Sequence, residues 1–115
     1  MKQFTDKDLT LDQLDGLMQK FTDDVAKGRH SAEGWPTNSY CVSKIGVTAM
    51  TRVFARENKD ILINSCCPGW IRTDMAGPSA PGTPDQGSQT PVHLALADLH
   101  GVSGEFWQNE TVSKW

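Results

Sequence analysis

The chain has 115 residues, 37% of them hydrophobic, and carries a formal charge of -3 from 11 Lys and Arg against 14 Asp and Glu. That length admits one domain at most, and the apolar share is that of an ordinary globular protein rather than of a disordered tail. A sequence pI near 5.5 without a concentrated Lys/Arg footprint argues against a phosphate-backbone partner, so no nucleic acid is expected to bind.

The first ten residues, MKQFTDKDLT, are polar, and no apolar run approaches ~20 residues, so neither a signal peptide nor a membrane span is expected. The sequence reads as that of a soluble, cytoplasmic protein. Thr10 opens the first predicted helix, because Gln13 three residues on completes a capping-box pattern that satisfies otherwise orphaned amides. Leu11, Leu14, Leu17, Met18, Phe21 and Val25 then recur at helical spacing, and Gly28 is placed to end the helix. This predicts an amphipathic helix of about five turns whose apolar stripe packs in the core.

Residues 28–38, GRHSAEGWPTN, are turn-rich and predict a surface loop with Trp35 beside Pro36. From Ser39 to about Asn58 a second helix is predicted, with Cys41, Ile45, Gly46, Ala49, Val53 and Phe54 forming a face of small and mid-sized residues. A helix with that face packs close to a neighbour. Tyr40, the chain's sole tyrosine, and Lys44 stand four apart, so they share one stripe of this helix.

Residues 61–66, ILINSC, are short, apolar and β-branched, and predict a buried strand of the kind found in parallel sheets. Ligands in such sheets gather beyond the carboxyl ends of strands, which makes 66–77, CCPGWIRTDMAG, the expected site. Residues 78–82 read as a flexible loop. Thr83 and Gln86 form a second capping box with Pro84 at the first helical position, predicting a helix to about Ala97, and residues 105–107 predict a final strand.

Cys41, Cys66 and Cys67 are odd in number and lack a CxxC pair, while His30, His93 and His100 stand at no metal-ligand spacing. Reduced thiols and no metal are expected. The triplet Asn109-Glu110-Thr111 fits a glycosylation acceptor but reads as coincidence without a secretory signal.

A tyrosine is a poor proton donor near neutral pH, since its ordinary pKa is about 10. An ammonium one helical turn away favours the phenolate, so the spacing of Tyr40 and Lys44 suits acid-base chemistry. A helix carrying Tyr40 and Lys44, followed by a buried strand and then by Pro68, Gly69 and Thr73, resembles the second half of the short-chain dehydrogenase/reductase family. Its YxxxK and PGxxxT patterns are both met. The stretches GWP at 34–36, SKIGV at 43–47 and NSCCPGWIRTDMAGP at 64–78, with the final Trp115, look like the carbonyl reductases of that family.

The resemblance implies an α/β fold: the C-terminal half of a Rossmann-like doubly wound parallel sheet, about two strands and three main helices. It implies NADPH-dependent reduction of ketones, aldehydes and quinones, small-molecule carbonyl substrates. Tyr40 would then be the proton donor and Lys44 its activator, and both would bind the cofactor, Lys44 at the nicotinamide ribose. Pro68, Gly69, Ile71 and Thr73 would hold the carboxamide, and Cys67, Trp70, Met75 and Ala76 would form the substrate wall.

The sequence also departs from that family. It contains no GxGxxG or GxxxGxG turn, no NNAG stretch and no counterpart of the catalytic serine, and Ser39 beside Tyr40 is not that serine. The dinucleotide-binding half is therefore expected to be absent and these residues inactive alone. An exposed sheet edge follows, and it motivates the alternative of a non-catalytic interaction module docked on another chain. A thiol-redox role for Cys66 and Cys67 is disfavoured for want of CxxC geometry.

Overall fold

In the computed structural model, which describes residues 2–115, a 3-10 turn at Lys2–Thr5 precedes three helices and three short strands. Helix α1 (Leu11–Ala26) starts as the sequence predicts. The Gln13 N–H donates to Thr10 Oγ1 at 3.2 Å and the Thr10 N–H donates to Gln13 Oε1 at 3.0 Å. Gly28 follows the C-cap with φ +66, a conformation that L side chains resist. Leu14 and Phe21 are buried, and Leu17 and Met18 pack against the same core. Leu11 and Val25, expected inside, are exposed, and Asp24 on the same helix is buried instead.

Helix α2 (Ser39–Glu57) is capped by Asn38, whose Oδ1 accepts the Tyr40 N–H at 2.9 Å. Val42, Ala49 and Val53 are its most buried side chains, with Gly46 among them. The predicted face is thus corrected at Cys41, which is exposed while its neighbour Val42 turns inward. The expected close approach is present: a Cβ at Gly46 would lie 2.9 Å from Met18 Sδ on α1. Phe4, Leu9, Leu14 and Ala49 form the centre of the core, with Trp35, Ile45 and Trp115 packed around it.

The strand expected at 61–66 is shorter and displaced. Only β1 (Ser65–Cys67) enters a ladder, and Ile61 and Leu62 are exposed. Side chains complete the pairing before it: the Ile63 N–H donates to Ser103 Oγ (3.0 Å), Asn64 Nδ2 to the Val102 carbonyl (2.9 Å) and the Glu105 N–H to Asn64 Oδ1 (3.0 Å). Among the described residues β1 has a neighbour on one side alone, so nothing lies over Ile61 and Leu62 to bury them.

Helix α3 (Pro84–Leu96) carries the second capping box as predicted and crosses from β1 to β2 (Phe106–Gln108), which runs parallel to β1 with Cys66 opposite Trp107. A further strand, β3 (Thr111–Ser113), pairs antiparallel with β2 and was not anticipated. Its two-residue turn holds Asn109 and Glu110 at φ 51 and 59, a hairpin geometry normally signalled by Gly. Here the Glu110 N–H donates to Thr90 Oγ1 on α3 at 3.1 Å, so support comes from outside the turn. Nor is 78–82 a free loop, since Ala80 is buried and Gly82 bridges to Ile71. No helix among the described residues is long and apolar enough to cross a membrane.

Candidate active site

Tyr40 lies in the first turn of α2, where the Asn38 cap fixes its amide, and Lys44 follows one turn on. The structure brings this pair together: Lys44 Nζ sits over the Tyr40 ring, 5.5 Å from its centroid. Both side chains are exposed, Tyr40 by 58%. Among the described residues Lys44 has no carboxylate partner, which leaves its ammonium free for a ligand.

The second group of site residues is carried by the segment that leaves β1. Cys67 is the last strand residue, and its Sγ accepts the Gly69 N–H at 3.4 Å. Gly69 turns the chain with φ +90. Ile71 then anchors the loop by inserting its side chain against two glycines. A Cβ would come within 2.5 Å of Ile71 Cδ1 at Gly82 and 2.6 Å of Ile71 Cγ1 at Gly87. The Arg72 N–H donates to the Gly82 carbonyl (2.8 Å), the Gly82 N–H to the Trp70 carbonyl (3.1 Å) and Arg72 Nε to the Ala80 carbonyl (3.2 Å).

Beyond this clamp the Thr73 hydroxyl donates to the Ile71 carbonyl and accepts the Ala76 N–H, both at 3.4 Å. Thr73 also lines an open depression of about 460 Å³ with Arg72, Asp74, Gly77 and Pro78. Trp70 and Met75 project into solvent, while Cys67 and Ala76 are half-buried. Helix α2 packs against β1, so the Tyr40-Lys44 helix and the loop from Pro68 flank a common strand.

The loop backbone offers both a donor and an acceptor. Among the described residues the Ile71 N–H and the Gly69 carbonyl make no hydrogen bond to other backbone, although their neighbours Arg72 and Trp70 are both engaged. Burial pushes the Cys66 thiol above its ordinary range, and the neighbouring Cys67 adds to the shift. A thiol so held is a poorer nucleophile at neutral pH.

Sequence reasoning missed Asp24, which is fully buried on α1. Arg29 Nε donates to its Oδ1 at 2.8 Å, and Trp35 Nε1 donates to its Oδ2 at 3.0 Å, beside Lys20 Nζ. The available signal was an aspartate three residues after Phe21, inside the apolar stripe, with Lys20 four residues before it.

Comparison with known proteins bears on the family and the fold. The family described as enoyl-(acyl carrier protein) reductase matches residues 26–97. Carbonyl reductase (NADPH) 1 of Mus musculus is 47% identical, and that of Homo sapiens 46%, each over 99% of this chain. The chain spans 44% of the length of these relatives. Among solved structures, salutaridine reductase from Papaver somniferum superposes with a TM-score of 0.85 at 29% identity, over 93% of this chain and 37% of that one. With a family match over residues 26–97 and relatives 46–47% identical along nearly its whole length, the chain belongs to the short-chain dehydrogenase/reductase family.

Proposed function

We propose that these residues form the proton-transfer portion of a cytoplasmic, NADPH-dependent carbonyl reductase acting on ketones, aldehydes and quinones. The observation that carries this reading is the placement of Tyr40 and Lys44 on a helix packed against β1, at whose carboxyl end the Pro68 loop begins. When bound, the nicotinamide supplies the hydride. Tyr40 donates a proton from its hydroxyl to the substrate oxygen, and Lys44 stabilises the resulting phenolate and hydrogen-bonds ribose hydroxyls. The backbone at Pro68, Gly69 and Ile71 and the Thr73 hydroxyl hold the carboxamide, which orients the ring for transfer. Cys67, Trp70, Met75 and Ala76 form the substrate wall, where the Trp70 indole suits a flat quinone.

The first test is an NADPH titration, followed by tryptophan fluorescence, of the purified chain mixed with a dinucleotide-binding half of the same family, with Tyr40→Phe alongside. Saturable quenching in the parent chain, followed by quinone reduction that Tyr40→Phe abolishes, is the expected outcome when a Gly-rich dinucleotide-binding half of the same family is supplied. Turnover that survives Tyr40→Phe would rule the reading out.

A second reading is favoured by the one-sided pairing of β1 and the exposed Ile61 and Leu62 beside it. In it the chain docks through that edge as a non-catalytic subunit of a larger reductase sheet. A stable complex that persists after Tyr40→Phe and Lys44→Ala, without nucleotide, distinguishes it.

A further inference from the structure

Asp24 has no place in the reaction just described, yet it is among the most thoroughly buried side chains of the molecule. Its carboxylate is saturated by three side chains from different points of the chain. Lys20 reaches it from the preceding turn of α1, Arg29 from beyond the helix end, and Trp35 from the loop that leads into α2. Lys20 also pairs with Glu33 of the same loop at 2.9 Å. A buried charge is a poor means of gaining stability, and its best-attested use is to specify one arrangement over others.

The arrangement specified here is the position of Trp35. Its indole meets Phe4 and Phe21 edge-on, with centroids 6.1 Å and 5.3 Å away, contacts that many ring orientations would satisfy. The bond from Trp35 Nε1 to Asp24 selects one of them. Its backbone is held too, the Trp35 N–H donating to the His30 carbonyl at 3.0 Å. From Trp35 the chain has little freedom before the catalytic pair. Pro36 follows at once, Asn38 is the helix cap, and its side chain takes the Tyr40 N–H.

We infer that Asp24 is a positioning residue: by fixing the Trp35 indole it sets where α2 begins, and so the placement of Tyr40 and Lys44. Its importance for proton transfer rests on the reading of Tyr40 given above, but the inference can be tested without turnover. The experiment is amide hydrogen exchange on the full chain for Asp24→Asn and for Trp35→Phe, which keeps an aromatic ring and removes the donor. Exchange at Tyr40, Val42 and Lys44 is expected to rise by about tenfold in both, clearly more than in the β2-β3 hairpin.

Unchanged exchange at Tyr40–Lys44 would overturn the inference, as would an equal rise in the hairpin, which marks a purely global loss of stability. Should Asp24→Asn fail to fold, Trp35→Phe alone decides between these outcomes.

Discussion

Asp24 and Cys66 show how position sets the chemistry of a side chain. Hydrogen bonds from Lys20, then Trp35 and Arg29, hold the Asp24 carboxyl well below the usual carboxylate range, outweighing burial, which pushes the other way. Because the folded-state value is depressed, this stabilisation is fully present above the unfolded value of about 4 and disappears as pH falls toward the folded one. Denaturation midpoints of the parent chain are therefore expected to fall between about pH 5 and pH 2, and Asp24→Asn to show a flatter profile whose deficit narrows in acid. For Cys66 the shift is upward, from burial and then Cys67, so the thiol stays protonated at neutral pH. Alkylation at pH 7.5, read by peptide mass spectrometry, is expected to modify the exposed Cys41 well before Cys66.

Between elements, the Ile71 clamp ties the Pro68 loop to α3. A methyl group at Gly87 would lie 2.6 Å from Ile71 Cγ1 and 3.2 Å from Cγ2, near the stem of the side chain rather than its flexible end. Gly87→Ala is expected to destabilise the chain by about 1–3 kcal/mol in urea unfolding. Ile71→Ala removes the atoms that collide, so the double variant should be more stable than the two single losses together imply. Strict additivity would show that the loop and α3 are not coupled through this contact. Both capping boxes and the Asn38 cap were readable because caps depend on residues within a single turn. The Ile71 contact was not, since it joins residues 11 and 16 positions apart through two glycines that carry no pattern of their own.

At the scale of the molecule, a chain of 12.7 kDa exposes 7847 Å², about a quarter more than the roughly 6,200 Å² expected for a compact monomer of that mass. Its radius of gyration is 15.9 Å, against about 13 Å for a compact domain of this length. The thinnest dimension is only 19 Å. Part of the excess lies beside the open sheet edge at β1, where Ile61 and Leu62 are 54% and 51% exposed. Sedimentation of the isolated chain is expected to show mass rising with concentration, and Ile61→Lys with Leu62→Lys to hold it monomeric. A constant monomer mass in the parent chain would mean that this edge does not recruit partners.

The sequence by itself determined the helices and their starts and pointed to the family, because periodicity, caps and the Tyr40-Lys44 and Pro68–Thr73 spacings are local in the chain. Only the tertiary structure decided the length of β1, the presence of β3, the exposure of Cys41, Leu11 and Val25, and the burial of Asp24. Each of these depends on what lies opposite. Ile61 and Leu62 stay in solvent for lack of a neighbouring strand, the β2-β3 turn is held by Thr90 of α3, and Asp24 is buried because Lys20, Arg29 and Trp35 converge on it.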